Sequence, residues 1–187
     1  MGRILDTITA AQCDFIRAQP VFFVATAPRA DDGHINVSPK GLDTLRIIDA
    51  HTAVYLDLTG SGNETAAHLA ENGRITLMFC AFAGKPGIVR LYGMGRVVRP
   101  GDDDWGRLTA LFDPLPGVRQ IIRVDVRHTQ TSCGFGVPEM TLAGHRGELE
   151  AWARRKGPRG VLDYQRQRNA VSIDGLPAPG FDGEAEA

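Results

Sequence analysis

The sequence predicts a mainly β protein: an antiparallel sheet or small β-barrel with flanking helices. Three observations lead there. Apolar runs of strand length recur over residues 21–137, separated by short turns rich in Gly, Pro, Asp and Asn. Helical patterns are inserted between them without the repeated strand–helix alternation of a doubly wound nucleotide fold. No internal repeat or low-complexity segment interrupts this order.

Thr9 caps a helix over 10–19, with Cys13 and Ile16 on its apolar face and Pro20 as its stop. Residues 21–27 form a strand whose continuous apolar run predicts burial on both faces. Asp31-Asp32-Gly33 turns the chain into a returning strand over 34–37, which the turn Ser38-Pro39-Lys40-Gly41 closes. Strands follow over 45–48 and 53–58, then a helix, then strands over 74–82 and 88–99. Gly93 and Gly95 on the last of these remove side chains, which permits strand curvature or close approach of another group. Asp102-Asp103-Asp104 reads as the acidic start of a helix over 102–112 rather than a metal site, because acidic groups suit a helix N-terminus. A strand over 118–128 leads to a glycine-rich loop over 131–138. Residues 147–168 are helical with a break at Gly157-Pro158, a short strand is expected over 170–174, and 180–187 is a polar tail.

The 187 residues suffice for one domain, 1–187, in which 138–187 forms a helical extension and tail. Hydrophobic content of 43% and charged content of 23% are those of a soluble globular chain. A net charge of -1 argues against nucleic acid or an anionic membrane as the main partner. No apolar run reaches the ~20 residues of a membrane-spanning helix, and the first residues lack a signal-peptide pattern. Cys13, Cys80 and Cys133 are far apart and odd in number, which fits a reducing, cytoplasmic location. His34, His51, His68, His128 and His145 lack metal-ligand spacing, so no metal is expected.

The stretch 59–73 organises the middle of the chain. Gly60 and Gly62 loosen the backbone after a strand, Ser61 and Glu64 form a Ser-x-x-Glu capping box, and Asn72-Gly73 ends the helix. It is either a plain capped connector, the default on this segment alone, or a cradle whose amide N–H groups hold an anion. It is neither a P-loop nor a complete dinucleotide fingerprint. Ser38, Ser61, Ser132 and Cys133 are nucleophiles only if a base lies near, and none sits in a nucleophile elbow. The cluster Arg154, Arg155, Lys156 and Arg159 reads as a solvated helix face. One combination stands out: Lys40 follows one strand, the 59–65 turn follows another, and in an antiparallel barrel both turns can share a rim and one anion.

With these residues in view, the chain resembles the pyridoxamine 5'-phosphate oxidase-like family of FMN-binding split barrels over roughly 12–137. The resemblance rests on the hairpin 21–37 with Ser38-Pro39-Lys40-Gly41, on the run 55–69 with Asn72-Gly73-Arg74-Ile75, and on Arg90-Leu91-Tyr92-Gly93 with the loop 132–138. It implies a six-stranded antiparallel split barrel working as a homodimer, with FMN at the interface. Asn36, Val37, Ser38, Pro39 and Lys40 would line the flavin ring and reach toward the phosphate. Asp57, Thr59, Gly60, Ser61, Asn63, Glu64 and Thr65 would surround the ribityl-phosphate, and Arg90 would approach from the long strand, from the same or the partner subunit. The implied activity is an FMN-dependent oxidoreductase acting on a small organic substrate. The alternative is a flavin-, deazaflavin- or haem-binding protein without turnover. The pyridoxamine-phosphate oxidases themselves place an Arg-Lys pair at the phosphate where this chain has Glu64 and Thr65. A hydrolase using Cys133 or Ser132 is a third, weaker option.

Overall fold

The computed structural model describes residues 2–181. The chain runs β1 (Arg3–Leu5), α1 (Ala10–Arg17), β2 (Phe22–Thr26), β3 (Asn36–Lys40), β4 (Leu45–Asp49), β5 (Thr52–Leu58), α2 (Glu64–Asn72), β6 (Arg74–Cys80), β7 (Ile88–Val98), α3 (Trp105–Thr109), β8 (Val118–Ser132) and α4 (Glu148–Arg168). The strands form one sheet in the order β3-β2-β6-β7-β8-β5-β4, with β1 added beside β8. Every ladder is antiparallel. This is the mainly β, split-barrel architecture with flanking helices that the sequence predicts, with eight strands rather than six. The three-residue β1 is too short to leave a periodic signal.

Local chemistry explains the elements. At α1, Gln12 N donates to the Thr9 hydroxyl at 3.2 Å and Thr9 N donates to the Gln12 side chain at 2.9 Å, a reciprocal cap. The Gln12 amide also donates to Thr129 on β8, and Ile16 is buried in the main core, so one turn of helix is tied to the sheet by both polar and apolar contacts. That core gathers Phe22, Val24, Tyr55, Leu77, Phe79, Leu91 and Ile122 from five strands. The ring of Phe22 meets Tyr55 edge-on at 5.6 Å and stacks on Phe79 at 5.7 Å. Strand β5 has a second layer on its other face: Val54 and Leu56 pack with Val98, Leu108, Phe112 and Ile121. It is therefore buried on both faces.

Several expectations are corrected. β2 buries Phe22, Val24 and Thr26 but only half-buries Phe23 and Ala25, so its apolar run does not mean two covered faces. Its outer side borders an open groove that Ala25 lines with Tyr92 and Met94. Ser38, Pro39 and Lys40 belong to β3 rather than to a turn. Pro39 is tolerated there because β3 is the edge of the sheet, where a missing N–H breaks no necessary ladder bond. The turn falls just beyond, where Leu42 and Asp43 take φ of 61° and 55° and the Thr44 hydroxyl donates to Gly41 O. β8 extends to Ser132, shortening the expected loop. α3 covers fewer residues than expected, and Asp104 before it pairs with Arg96 and Arg107 rather than capping the helix with its side chain. The strand expected over 170–174 is a single bridge, Val171 to Pro177. The break in α4 is at Gly157, with φ 68° and ψ 169°. The tail from 182 onward lies outside the described residues.

The ladder between β7 and β8 slips at Tyr92/Gly93, which bends the long strand. A Cβ on Gly93 would lie 2.4 Å from Asp125 O, a backbone atom that cannot swing aside. Gly93→Ala is expected to destabilise the protein by about 1–3 kcal/mol, the range of a forced overpacking. A urea midpoint equal to wild type would show that the bend tolerates a methyl group.

Candidate functional site

Edge strand β3 presents alternate residues to opposite sides. Asn36, Ser38 and Lys40 are half-buried on one side, and Val37 and Pro39 are exposed on the other. The inward three face the connection from β5 to α2 across a cavity of about 420 Å³. Asp57, Gly60, Ser61, Asn63, Glu64 and Thr65 complete that lining together with Arg119. The sheet thus brings together in one place ten of the residues singled out from the sequence: Asn36, Ser38, Lys40, Asp57, Gly60, Ser61, Asn63, Glu64, Thr65 and, beside Gly60 and Ser61, their neighbour Gly62.

Thr59, Val37, Pro39 and Arg90 stand elsewhere. Thr59 is buried behind the turn, where its hydroxyl donates to Gly117 O and accepts from the Gln165 amide at 2.7 Å. Arg90 is on β7 and donates to the Ser132 hydroxyl at 3.1 Å, outside this cavity. Ser132 is half-buried and Cys133 exposed.

The electrostatic centre is Asp57, whose side chain is 1% exposed. It accepts from Lys40 Nζ at 2.8 Å, from Arg119 Nη2 at 2.7 Å and from the Gln120 amide at 2.8 Å. Burial alone would raise its pKa, but the charges and hydrogen bonds of Lys40 and Arg119 outweigh it and hold the carboxyl well below the ordinary carboxylate range. Two cations share one carboxylate, so the cluster keeps one net positive charge. Arg119 also donates to Gly62 O at 2.9 Å, and its Nε–H is buried without a partner among the described residues.

Arg119 is the site residue that sequence reasoning missed. It is the extra residue of a bulge: Asp57 pairs with Gln120 and Leu58 with Val118, which leaves Arg119 unpaired between them. A bulge re-aims a side chain, but it exists only once two distant strands are in register. The one local signal is a polar Arg119-Gln120 pair opening a strand that continues Ile121-Ile122.

A second network lies behind β3. The Ser38 hydroxyl donates to Asn36 Oδ1 at 3.1 Å, and Asn36 Nδ2 donates to Thr65 Oγ1 at 3.1 Å and to Thr26 Oγ1 at 3.4 Å. Thr26 Oγ1 lies 3.0 Å from His68 Nδ1. Burial lowers the His68 pKa and keeps the ring neutral near pH 7, and its Nε2 has no partner among the described residues. These bonds fix the rotamers of Ser38 and Asn36, as a preorganised site requires.

The expected Ser61–Glu64 capping box is absent. Asn63 is the N-cap of α2, with no side-chain cap bond, and both carboxylate oxygens of Glu64 accept from Ile173 N, at 3.2 and 3.0 Å. Asn63 instead donates to Asn169 O and accepts from Gln120. The other end is as expected: Gly73 caps α2 in the left-handed region at φ 72°.

Comparison with known proteins fixes the lineage. The sequence profile described as pyridoxamine 5'-phosphate oxidase matches residues 8–133. The chain belongs to the pyridoxamine 5'-phosphate oxidase family. A relative in that family, the pyridoxamine 5'-phosphate oxidase family protein ustO of Aspergillus flavus, is 40% identical over 181 residues, covering 88% of this chain and 72% of its own. Two solved structures share the fold. A variant of HupZ from Group A Streptococcus has a TM-score of 0.52 at 21% identity, over 67% of this chain and 99% of its own. A candidate pyridoxamine 5'-phosphate oxidase from Lactobacillus delbrueckii has a TM-score of 0.52 at 18% identity, over 67% and 94%. The family match ends at 133, before α4 and the residues that hold Thr59, Gly60 and Asn63 from behind. No helix among the described residues is long and apolar enough to cross a membrane.

Proposed function

We propose that the protein is an FMN-dependent oxidoreductase of this family, passing a hydride or electrons between the flavin and a small organic substrate as a homodimer. The observation that carries it is the Lys40–Asp57–Arg119 cluster: two cations against one buried carboxylate, lining a polar cavity and keeping one net positive charge. An anionic group in that cavity would balance the cluster. The hydroxyls of Ser61 and Thr65 and the Asn63 region suit the phosphate and ribityl end of FMN. Asn36, Ser38 and Lys40 offer donors and acceptors toward a ring. Arg90 and the exposed Val37 and Pro39 would meet the cofactor from the partner subunit or at its edge. Bound FMN supplies the redox chemistry, and the protein binds, orients and excludes water.

FMN incubation followed by gel filtration tests this reading: flavin absorption should travel with a dimer, and a nicotinamide donor should bleach it without oxygen. A colourless protein after incubation overturns it. Bound flavin that no donor reduces would make the protein a carrier instead. Lys40→Ala is expected to weaken FMN binding by about 1.5–3 kcal/mol, the worth of a hydrogen bond to a charged group. Isothermal titration with unchanged affinity would place Lys40 outside the phosphate shell and leave it as a partner of Asp57 alone.

A further inference from the structure

The residues after α4 form a small looped strap against α2, whose first residue, Glu64, lines the cavity. Ala178 N donates to Ala170 O, Gly175 N to Ser172 O, and Leu176 N to the Ser172 hydroxyl. Ala178 is fully buried against Ala66 and Ala67 of α2, which anchors the base. The tip is Ile173-Asp174, and each of its two residues makes an outward contact. Ile173 N–H takes the Glu64 carboxylate. Asp174 Oδ2 accepts from His34 N at 2.8 Å, and its Oδ1 lies 2.6 Å from His34 Nδ1.

We propose that this strap, latched by the His34–Asp174 pair, holds the Glu64 carboxylate away from the anion in the cavity and so regulates cofactor affinity. The inference rests on the flavin reading above. Glu64 lines the cavity as the first residue of α2, where an inward carboxylate would cancel the single net positive charge of the Lys40–Asp57–Arg119 cluster. The Ile173 amide is the only hydrogen-bond donor to that carboxylate among the described residues. Its position depends on the tip, and Asp174 ties the tip to His34.

The latch is a charged one. His34 touches Asp174 and also lies in the field of Asp32 and Glu64, and Asp174 in that of His68. The hydrogen bond and charge of Asp174 raise the His34 pKa above its ordinary value, and Asp174 is lowered in turn. A raised histidine pKa means that the latch is fully charged below the ordinary histidine value and is lost as pH rises through the shifted one. Above it the ion pair is gone and the backbone bond from His34 N alone ties Asp174, so the loosened tip lets Glu64 turn inward more often.

The test is FMN affinity of the full-length chain, read by fluorescence quenching at several pH values. Asp174→Ala should weaken FMN binding about five-fold at pH 6, the size of one partly screened like-charge contact. Its affinity should also lose the decline that wild type shows as pH rises. Adding Glu64→Gln to Asp174→Ala should restore wild-type affinity or better, because the glutamine carries no charge to turn inward. Wild-type protein that takes up no FMN overturns the flavin assignment and this inference with it. Wild-type uptake that Asp174→Ala leaves unchanged, or a loss that Glu64→Gln does not restore, overturns the strap alone.

Discussion

Asp57→Ala is expected to lower the stability of the folded protein by about 3–5 kcal/mol, the penalty of breaking a buried ion pair by removing one partner. The substitution leaves Arg119, itself 8% exposed, with its guanidinium held only by Gly62 O, and leaves the buried Gln120 amide with Asn63 alone. Urea unfolding followed by circular dichroism reads the change. A midpoint within error of wild type would mean that water reaches the cluster and screens it. The same carboxylate gives stability a pH dependence with a definite sign. Its folded pKa is depressed, so its contribution is complete above the ordinary carboxylate value of about 3.9 and is lost progressively as pH falls toward the lower folded value. The Asp57→Ala protein should lack this part of the acid response.

The second large effect separates folding from binding. Arg119→Met is expected to weaken FMN binding by about ten- to a hundred-fold, because it removes the charge that Asp57 does not neutralise, at about 1.4 kcal/mol per decade. Alone it should also destabilise, since Asp57 then keeps only Lys40 and Gln120. The double variant Asp57→Leu/Arg119→Met should recover stability relative to either single change, because an apolar pair commonly replaces a buried ion pair without loss. It should not recover flavin binding. A double variant that is stable and binds FMN as wild type does would show that the anion is held elsewhere, with Arg90 the next candidate.

How much of this was legible in the sequence follows from the range of the interactions. The α1 cap, the end of α2 at Gly73 and the break at Gly157 were readable because each is decided within a few neighbouring residues. The barrel was readable because strand periodicity and turn residues recur, and the family pattern added its order. Glu64 shows where local reading ends: Ser61-x-x-Glu64 is a valid capping box by spacing, yet an amide more than a hundred positions away takes the carboxylate. Arg119 shows the same from the other side, since its role is set by a slip in register between β5 and β8. Lys40 was placed near the right neighbours but in the wrong element, because Pro39 reads as a turn unless its strand is known to be an edge.

The support that α4 and the strap give to the turn after β5 bears on where this protein can be cut. Gln165, Asn169 and Ile173 together satisfy Thr59, Gly60, Asn63 and Glu64, and all three lie beyond the stretch that the family profile matches. An expression fragment trimmed to that matched stretch would keep β2 to β8 and yet expose a pre-shaped turn with its backing removed. For anyone grafting this pocket onto another barrel, the transplantable unit therefore includes the helix and loop behind it.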